Sequence, residues 1–152
     1  FNPGHETAVL NGSPYYMPPA NVVRMQHELA FLPAWYAEGI DIVLVAEYLN
    51  YYNYLHKVFP NLPNAMTSSN LGKHNNLEVA LWGISPQAVH FFEELGNIYN
   101  VDFDIPGWKD EYSYLNSRMV SHDCLLEIVN SMPEISDSIL PTFFSELDDI
   151  EE

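Results

Sequence analysis

Residues 42–46, Ile42-Val43-Leu44-Val45-Ala46, form a short aliphatic run that is apolar at every position. A strand inside a parallel sheet is covered on both faces, so it lacks the alternation of polar and apolar residues that marks a half-exposed strand. The run therefore predicts a central strand of a parallel sheet, and it decides the fold class.

Helical patterns flank this strand on both sides. Before it, apolar side chains recur at spacings of three and four residues at Val22, Met25, Leu29, Leu32 and Tyr36. This spacing predicts one amphipathic helix, kinked at Pro33 and ended by Gly39. After the strand, residues 48–59 predict a second helix whose many tyrosines are assigned to packing, with an exposed interface as the alternative.

Strand and helix patterns continue to alternate along the rest of the chain. They predict a short strand around Ala65, a strand at 77–82, a helix from the N-cap Ser85 to Gly96, a strand at 99–103, a helix at 110–116 and a helix capped by Ser121. Such an alternation indicates the α/β class. We expect a three-layer Rossmann-like domain with a short, mainly parallel sheet flanked by helices.

Charge and composition exclude several functions. Five Lys and Arg stand against 21 Asp and Glu, a net charge of −16, which repels the phosphates of nucleic acid. No run approaches the roughly 18 apolar residues of a membrane span. The single Cys124 cannot form an intrachain disulfide, which is typical of a reducing compartment. We therefore expect a cytoplasmic protein without nucleic-acid or membrane partners.

Both chain ends indicate a piece of a longer protein. The sequence begins at Phe1 instead of Met, in a turn, and it ends in an acidic helix pattern without a C-cap. We expect one α/β domain at residues 1–133, followed at 134–152 by a linker and the start of another domain.

Three polar segments are expected to meet at the carboxyl edge of the sheet, where open parallel sheets bind ligands. They supply the candidate substrate-binding residues Asn2, His5, Glu6, Glu47, Trp82 and Ser85. The alternative is structural, because polar loop residues often cap turns and helices or remain solvated. A seventh candidate, His122, follows the predicted cap Ser121 at a helix start, although Asp123 beside it disfavours an anion.

Motifs for metal or covalent chemistry are missing from the sequence. His5 and Glu6 are adjacent, without the spacing of HExxH, and no CxxC, GxGxxG, GxxxxGK[ST] or GxSxG occurs. Cys124 is expected to be a small buried hydrophobe. We predict no catalytic residue and no metal ligand within this chain.

Four segments occur in an order and spacing that resembles a family of bacterial ATP-grasp-like proteins, over residues 1–133. They are Phe1-Asn2-Pro3-Gly4-His5-Glu6, Leu29-Ala30-Phe31-Leu32-Pro33-Ala34, Trp82-Gly83 and Val120-Ser121-His122. Three positions depart from the family pattern, namely Gly4, Ile84 and Asp123. The resemblance implies an amino-terminal, Rossmann-like pre-ATP-grasp domain, with ATP-grasp subdomains beginning near residues 140–144.

The resemblance also implies a function. The chain would be the substrate-side domain of a carboxylate–amine ligase, with the following ATP-grasp domain and a small-molecule substrate as partners. ATP and Mg²⁺ would serve the full-length protein, with no cofactor in this chain. One alternative is a stand-alone acidic α/β interaction module that docks through residues 146–152. Another is a small enzyme that works at Asn2, His5 and Glu6.

Overall fold

A computed structural model describes residues 2–132, 134–135 and 140. The chain forms two compact units, Phe1–Lys109 and Asp110–Glu152. The predicted segment at 134–152, including the acidic residues 146–152, lies almost wholly outside the described residues.

The first unit alternates helices and short strands. Its elements are α1 (His5–Asn11), α2 (Ala20–Glu28), β1 (Ile42–Val45), α3 (Asn50–Val58), β2 (Asn64–Thr67), β3 (Leu77–Glu78), α4 (Pro86–Tyr99) and β4 (Phe103–Asp104), with 3₁₀ helices at Leu32–Trp35 and Ser68–Lys73. The second unit contains α5 (Glu111–Leu115) and α6 (Arg118–Ser131). None of the helices described here has the length and apolar character to cross a membrane.

The strands pair in parallel, which confirms the predicted α/β class. β1 pairs with β2 from Ile42↔Asn64 to Val45↔Thr67, and α3 connects the two strands. β3 pairs with β4 through Leu77↔Phe103 and Glu78↔Asp104. Within residues 2–132 these are two separate two-stranded sheets, instead of one continuous sheet.

Strand β1 is covered on both faces, as its apolar sequence predicts. Val43 and Val45 are buried in a cluster with Phe31, Ala34 and Tyr52. From the other face of the β1–β2 sheet, Leu44 and Met66 pack against a second buried cluster, formed by Leu71, Leu95 and Val101. The short sheet thus separates two apolar clusters of the first unit.

Helix α4 begins as predicted but ends later. The Ser85 side chain accepts a hydrogen bond from the Ala88 amide at 3.1 Å, and Pro86 occupies the first turn. The predicted stop at Gly96 is wrong, because the helix continues to Tyr99 and ends at Asn100 in the left-handed conformation. Gly96 instead provides room for the returning chain, since a Cβ there would lie 2.8 Å from the Val101 carbonyl oxygen.

Two other predicted helix limits are corrected. α2 ends at Glu28, and Pro33 lies in the first turn of the separate 3₁₀ helix Leu32–Trp35, where its missing N–H is tolerated. Helix α6 begins one turn earlier than predicted, because Ser117 caps it instead of Ser121. The Ser117 hydroxyl accepts from the Val120 amide at 3.4 Å.

Several smaller features also differ from expectation. Only Leu77–Glu78 of the predicted strand at 77–82 pairs, and the strand expected at 99–103 is Phe103–Asp104. Helix α1 was not predicted. Cys124 is exposed on α6, instead of buried.

The tyrosines of α3 divide between core and surface. Tyr52 has no exposed area, and its ring centroid lies 4.7 Å from Phe31, 4.4 Å from Tyr51 and 5.4 Å from Tyr48. Tyr54, on the same helix, is 66% exposed. The predicted role of the tyrosines in packing therefore holds for Tyr52, whereas Tyr54 lies at the surface.

This contrast predicts a large difference between two alanine variants. Tyr52→Ala should lower the free energy of unfolding by about 3–5 kcal/mol, because it leaves a cavity in the core. The matched change Tyr54→Ala should cost less than about 1 kcal/mol. Urea denaturation followed by circular dichroism measures both, and equal losses would contradict this assignment of the core.

The buried Tyr52 hydroxyl should also make the free energy of unfolding decrease at alkaline pH. Burial raises its pKa well above the ordinary value, and hydrogen bonding to Tyr51 and the nearby charge of Glu47 act in the same direction. Above pH about 10 the unfolded chain loses this proton while the folded chain keeps it. Stability is therefore fully present below that pH and should fall by up to about 1.4 kcal/mol per pH unit above it.

The phenylalanine variant provides the measurement. Tyr52→Phe should show a flatter fall in unfolding free energy between pH 10 and 12, whereas Tyr54→Phe should follow the wild-type profile. Parallel profiles for wild type and Tyr52→Phe would show that another group governs the alkaline loss.

Candidate functional site

Two predicted segments meet at a junction between the amino terminus and the loop before α4. The Asn2 side-chain amide Nδ2 donates a hydrogen bond of 2.8 Å to the Gly83 carbonyl oxygen. The His5 imidazole packs against Gly83 so closely that a Cβ there would overlap the ring. Helix α1, which starts at His5, also contacts α4. We call Asn2, His5 and Gly83 the amino-terminal junction.

One acceptor of the junction is unused. The Oδ1 atom of Asn2 is buried and has no hydrogen-bond partner among the described residues. A buried acceptor in this position costs free energy of about 1–3 kcal/mol relative to a satisfied one.

The neighbouring candidates differ in accessibility. Ser85 has no exposed area, and its hydroxyl caps α4. Its observed hydrogen bond is therefore a structural one, as in the alternative in which the polar loop residues cap helices. Trp82 is 61% exposed beside the junction, and Glu6 is exposed on α1. Of these three side chains, Trp82 and Glu6 are exposed to solvent and Ser85 is not.

The remaining two candidates lie elsewhere. Glu47 is exposed just after β1, close enough to Tyr52 to help raise its pKa. His122 belongs to the second unit, in the second turn of α6, where its Nδ1 lies 3.5 Å from the Asp123 carboxylate. Because α6 starts at Arg118, His122 does not lie at the helix start that the sequence predicted.

A cavity opens at the carboxyl end of the β1–β2 pair, the edge at which the sequence placed a ligand site. Its volume is about 330 Å³, and it is lined by Tyr48, Ala65, Met66, Thr67, Asn70 and Lys73. We call it the carboxyl-edge cavity. None of its lining residues was among the predicted site residues, although Tyr48 directly follows the candidate Glu47.

Polar side chains of the segment after β2 are joined by hydrogen bonds. The Lys73 ammonium donates to Asn70 Oδ1 at 3.0 Å, and the Asn70 amide Nδ2 donates to Thr67 Oγ1 at 3.4 Å. Thr67 Oγ1 also lies 3.0 Å from the Ser69 hydroxyl. The 3₁₀ helix Ser68–Lys73 brings these groups together, because residues three apart share one side of such a helix.

The sequence contained a signal for this cavity. A short strand was predicted around Ala65, and the polar run Thr67-Ser68-Ser69-Asn70 follows that strand at once. Strand ends followed by polar residues supply ligand contacts in parallel sheets. The position of Lys73 at the cavity could not be predicted, since it depends on the 3₁₀ helix Ser68–Lys73 that follows β2.

A second cavity has the opposite electrostatic character. Its volume is about 550 Å³, and its polar lining comprises Asn75, Glu93, Asn97, Asn100 and Asp102. It includes the last turn of α4, which carries no basic residue and whose carbonyl groups add partial negative charge. Among the described residues, no group of three or more His, Cys, Asp or Glu is arranged to hold a metal ion.

The amino-terminal junction predicts a specific pair of glycine substitutions. Gly83→Ala should destabilise the protein by about 1–3 kcal/mol, because the added methyl group overlaps the His5 ring. Gly107→Ala is the matched control, since a Cβ at Gly107 meets nothing within 4 Å.

Thermal denaturation of a double-mutant cycle tests the contact itself. In a His5→Ala background, Gly83→Ala should lose most of its effect, because the obstructing ring is gone. If the cost of Gly83→Ala were the same in both backgrounds, the junction described here would be wrong.

Comparison of the chain with protein-family models, curated proteins and solved structures gives no match.

Proposed function

We propose that this chain is the substrate-side, non-catalytic α/β domain of an ATP-grasp-like carboxylate–amine ligase. The observation that supports the proposal is the hydrogen bond from Asn2 to Gly83, which joins residues 81 positions apart. Asn2 and Gly83 belong to two of the four segments on which the resemblance rests. The hydrogen bond places these two motifs, which are distant in the sequence, next to each other in the structure.

A third segment has a role in the core. Within Leu29-Ala30-Phe31-Leu32-Pro33-Ala34, the side chains of Ala30, Phe31 and Ala34 are buried in the cluster that covers β1. The segment therefore forms part of the α/β core, which is compatible with the proposed pre-ATP-grasp domain. The fourth segment, Val120-Ser121-His122, lies on α6 of the second unit.

The proposed reaction is divided between domains. In ATP-grasp ligases the substrate carboxylate attacks the γ-phosphate of ATP, ADP leaves, and an amine then displaces phosphate from the acylphosphate. A lysine, a glycine-rich loop and carboxylates that bind Mg²⁺ support this chemistry, and the proposal assigns them to the following ATP-grasp domain. Asn2, His5 and Trp82 would contact the small-molecule substrate from this side, in the cytoplasm.

The coding sequence downstream of Glu152 tests the proposal directly. It should continue in frame and encode a lysine on a strand, a glycine-rich loop and, later, paired acidic residues. An in-frame stop at that point, or an unrelated segment, would contradict the proposal.

Assays of ATP turnover complement the gene sequence. The 152-residue chain should release no ADP from Mg-ATP, whereas the full-length protein should release ADP when given its carboxylate and amine substrates. Turnover by the 152-residue chain that His5→Ala abolishes would instead support a small stand-alone enzyme at the amino-terminal junction.

A further inference from the structure

We propose that the carboxyl-edge cavity binds a small phosphate-type anion, held by Lys73, Asn70 and Thr67. The inference goes beyond the proposed function and does not depend on it, because none of these residues belongs to the segments that carry the family resemblance. It rests on the position of the cavity, its unused hydrogen-bond donors and its local charge.

The position of the cavity is favourable for a ligand. The register pair Val45↔Thr67 ends the β1–β2 ladder, and Thr67 and Tyr48 line the cavity at this carboxyl edge. Loops that follow parallel strands converge there and leave a crevice. Its volume, about 330 Å³, lies within the range of small-molecule sites, about 300–1,000 Å³.

The cavity offers donors that the protein itself does not use. Lys73 has three N–H groups and donates one to Asn70, so two are available. Asn70 donates one of its two amide hydrogens to Thr67, which leaves the other. Thr67 accepts from Asn70, and when Ser69 donates to it as well, the Thr67 hydroxyl hydrogen is left for a ligand.

Tyr48 has a different role from these donors. Its hydroxyl hydrogen is committed to Asn53 Oδ1 at 2.8 Å, so Tyr48 supplies a wall of the cavity and no donor. The available hydrogens of the cavity therefore come from one ammonium, one amide and one hydroxyl group. A phosphate group, which presents several acceptor oxygens, matches such a set.

The one charged side chain among the residues that line the cavity is basic, in spite of the acidic composition. Lys73 is one of five basic residues in a chain with 21 acidic ones. Among the described residues no carboxylate forms an ion pair with Lys73, and no acidic side chain lines the cavity. The amide oxygen of Asn70 orients the ammonium without neutralising it.

Binding of inorganic phosphate to the 152-residue chain, measured by isothermal titration calorimetry at low ionic strength, tests the inference. Lys73→Gln should weaken binding about tenfold or more, because it removes a charge-assisted hydrogen bond. Lys57→Gln, on α3 and outside the cavity lining, changes the net charge equally and should leave the affinity within about twofold. Thr67→Val should also weaken binding.

The location of the bound anion provides an independent readout. In ¹H–¹⁵N correlation spectra, phosphate should shift the amide signals of residues 67–73 in the wild type and shift them much less in Lys73→Gln at the same phosphate concentration. Circular dichroism should show that each variant is folded. Titration with glycerol phosphate distinguishes free phosphate from a phosphate monoester, since tighter binding of the ester would identify an organic phosphate as the ligand.

Two results would overturn the inference. One is the lack of saturable binding of either phosphate compound to the wild-type protein. The other is an equal loss of affinity in Lys73→Gln and Lys57→Gln, which would show that phosphate responds only to the overall charge. The coding sequence downstream of Glu152 tests the proposed ligase role separately, so failure of one proposal leaves the other standing.

Discussion

The structure of the first unit depends on the burial of β1 from both sides. Val43 and Val45 contact Phe31 and Tyr52 on one face, and Leu44 reaches the second apolar cluster from the other. Two strands alone form a marginal sheet in water, so the helices that cover these faces have to supply the stability. Because the sheet is short, its carboxyl edge lies close to both clusters. Residues that follow β1 and β2 are thus attached to strands that pack against buried apolar clusters.

Local sequence signals predicted the elements whose limits are set locally. The apolar run at 42–46 and the Ser85-Pro86 pair gave β1 and the start of α4, because two-sided burial and N-capping leave a direct mark on residue type. Two of the helix limits that were predicted wrongly, the start of α6 and the end of α4, are positions where more than one residue could begin or end the helix. Ser117 and Ser121 can each cap a helix by residue type, and the structure has Ser117 in that position. Gly96 is suited to a helix stop, but the close approach of the Val101 carbonyl explains it instead, and that contact depends on the path of the chain after α4.

At the candidate site, too, the sequence predicted what depends on local patterns and missed what depends on tertiary contacts. The topological rule for parallel sheets placed ligand contacts at a carboxyl edge, and a cavity is found there. The residues that line this cavity were not among the predicted site residues, because the rule was applied to each strand end in isolation. Asn2 and His5 meet Gly83 through contacts between distant parts of the chain, and Lys73 reaches the cavity through a 3₁₀ turn. Neither arrangement has a periodic signature in the sequence.

An acidic chain with an anion site involves no electrostatic contradiction. At physiological ionic strength the screening length is about 8 Å, so exposed carboxylates farther away than this act weakly on a bound anion. Hydrogen-bond donors in direct contact with the anion lie well within this screening length. The net charge of −16 therefore governs encounters with large polyanions such as nucleic acids, whose many phosphates extend across the surface. A small phosphate inside the carboxyl-edge cavity instead responds mainly to Lys73, Asn70 and Thr67, so the same surface can reject a polyanion and admit a small one.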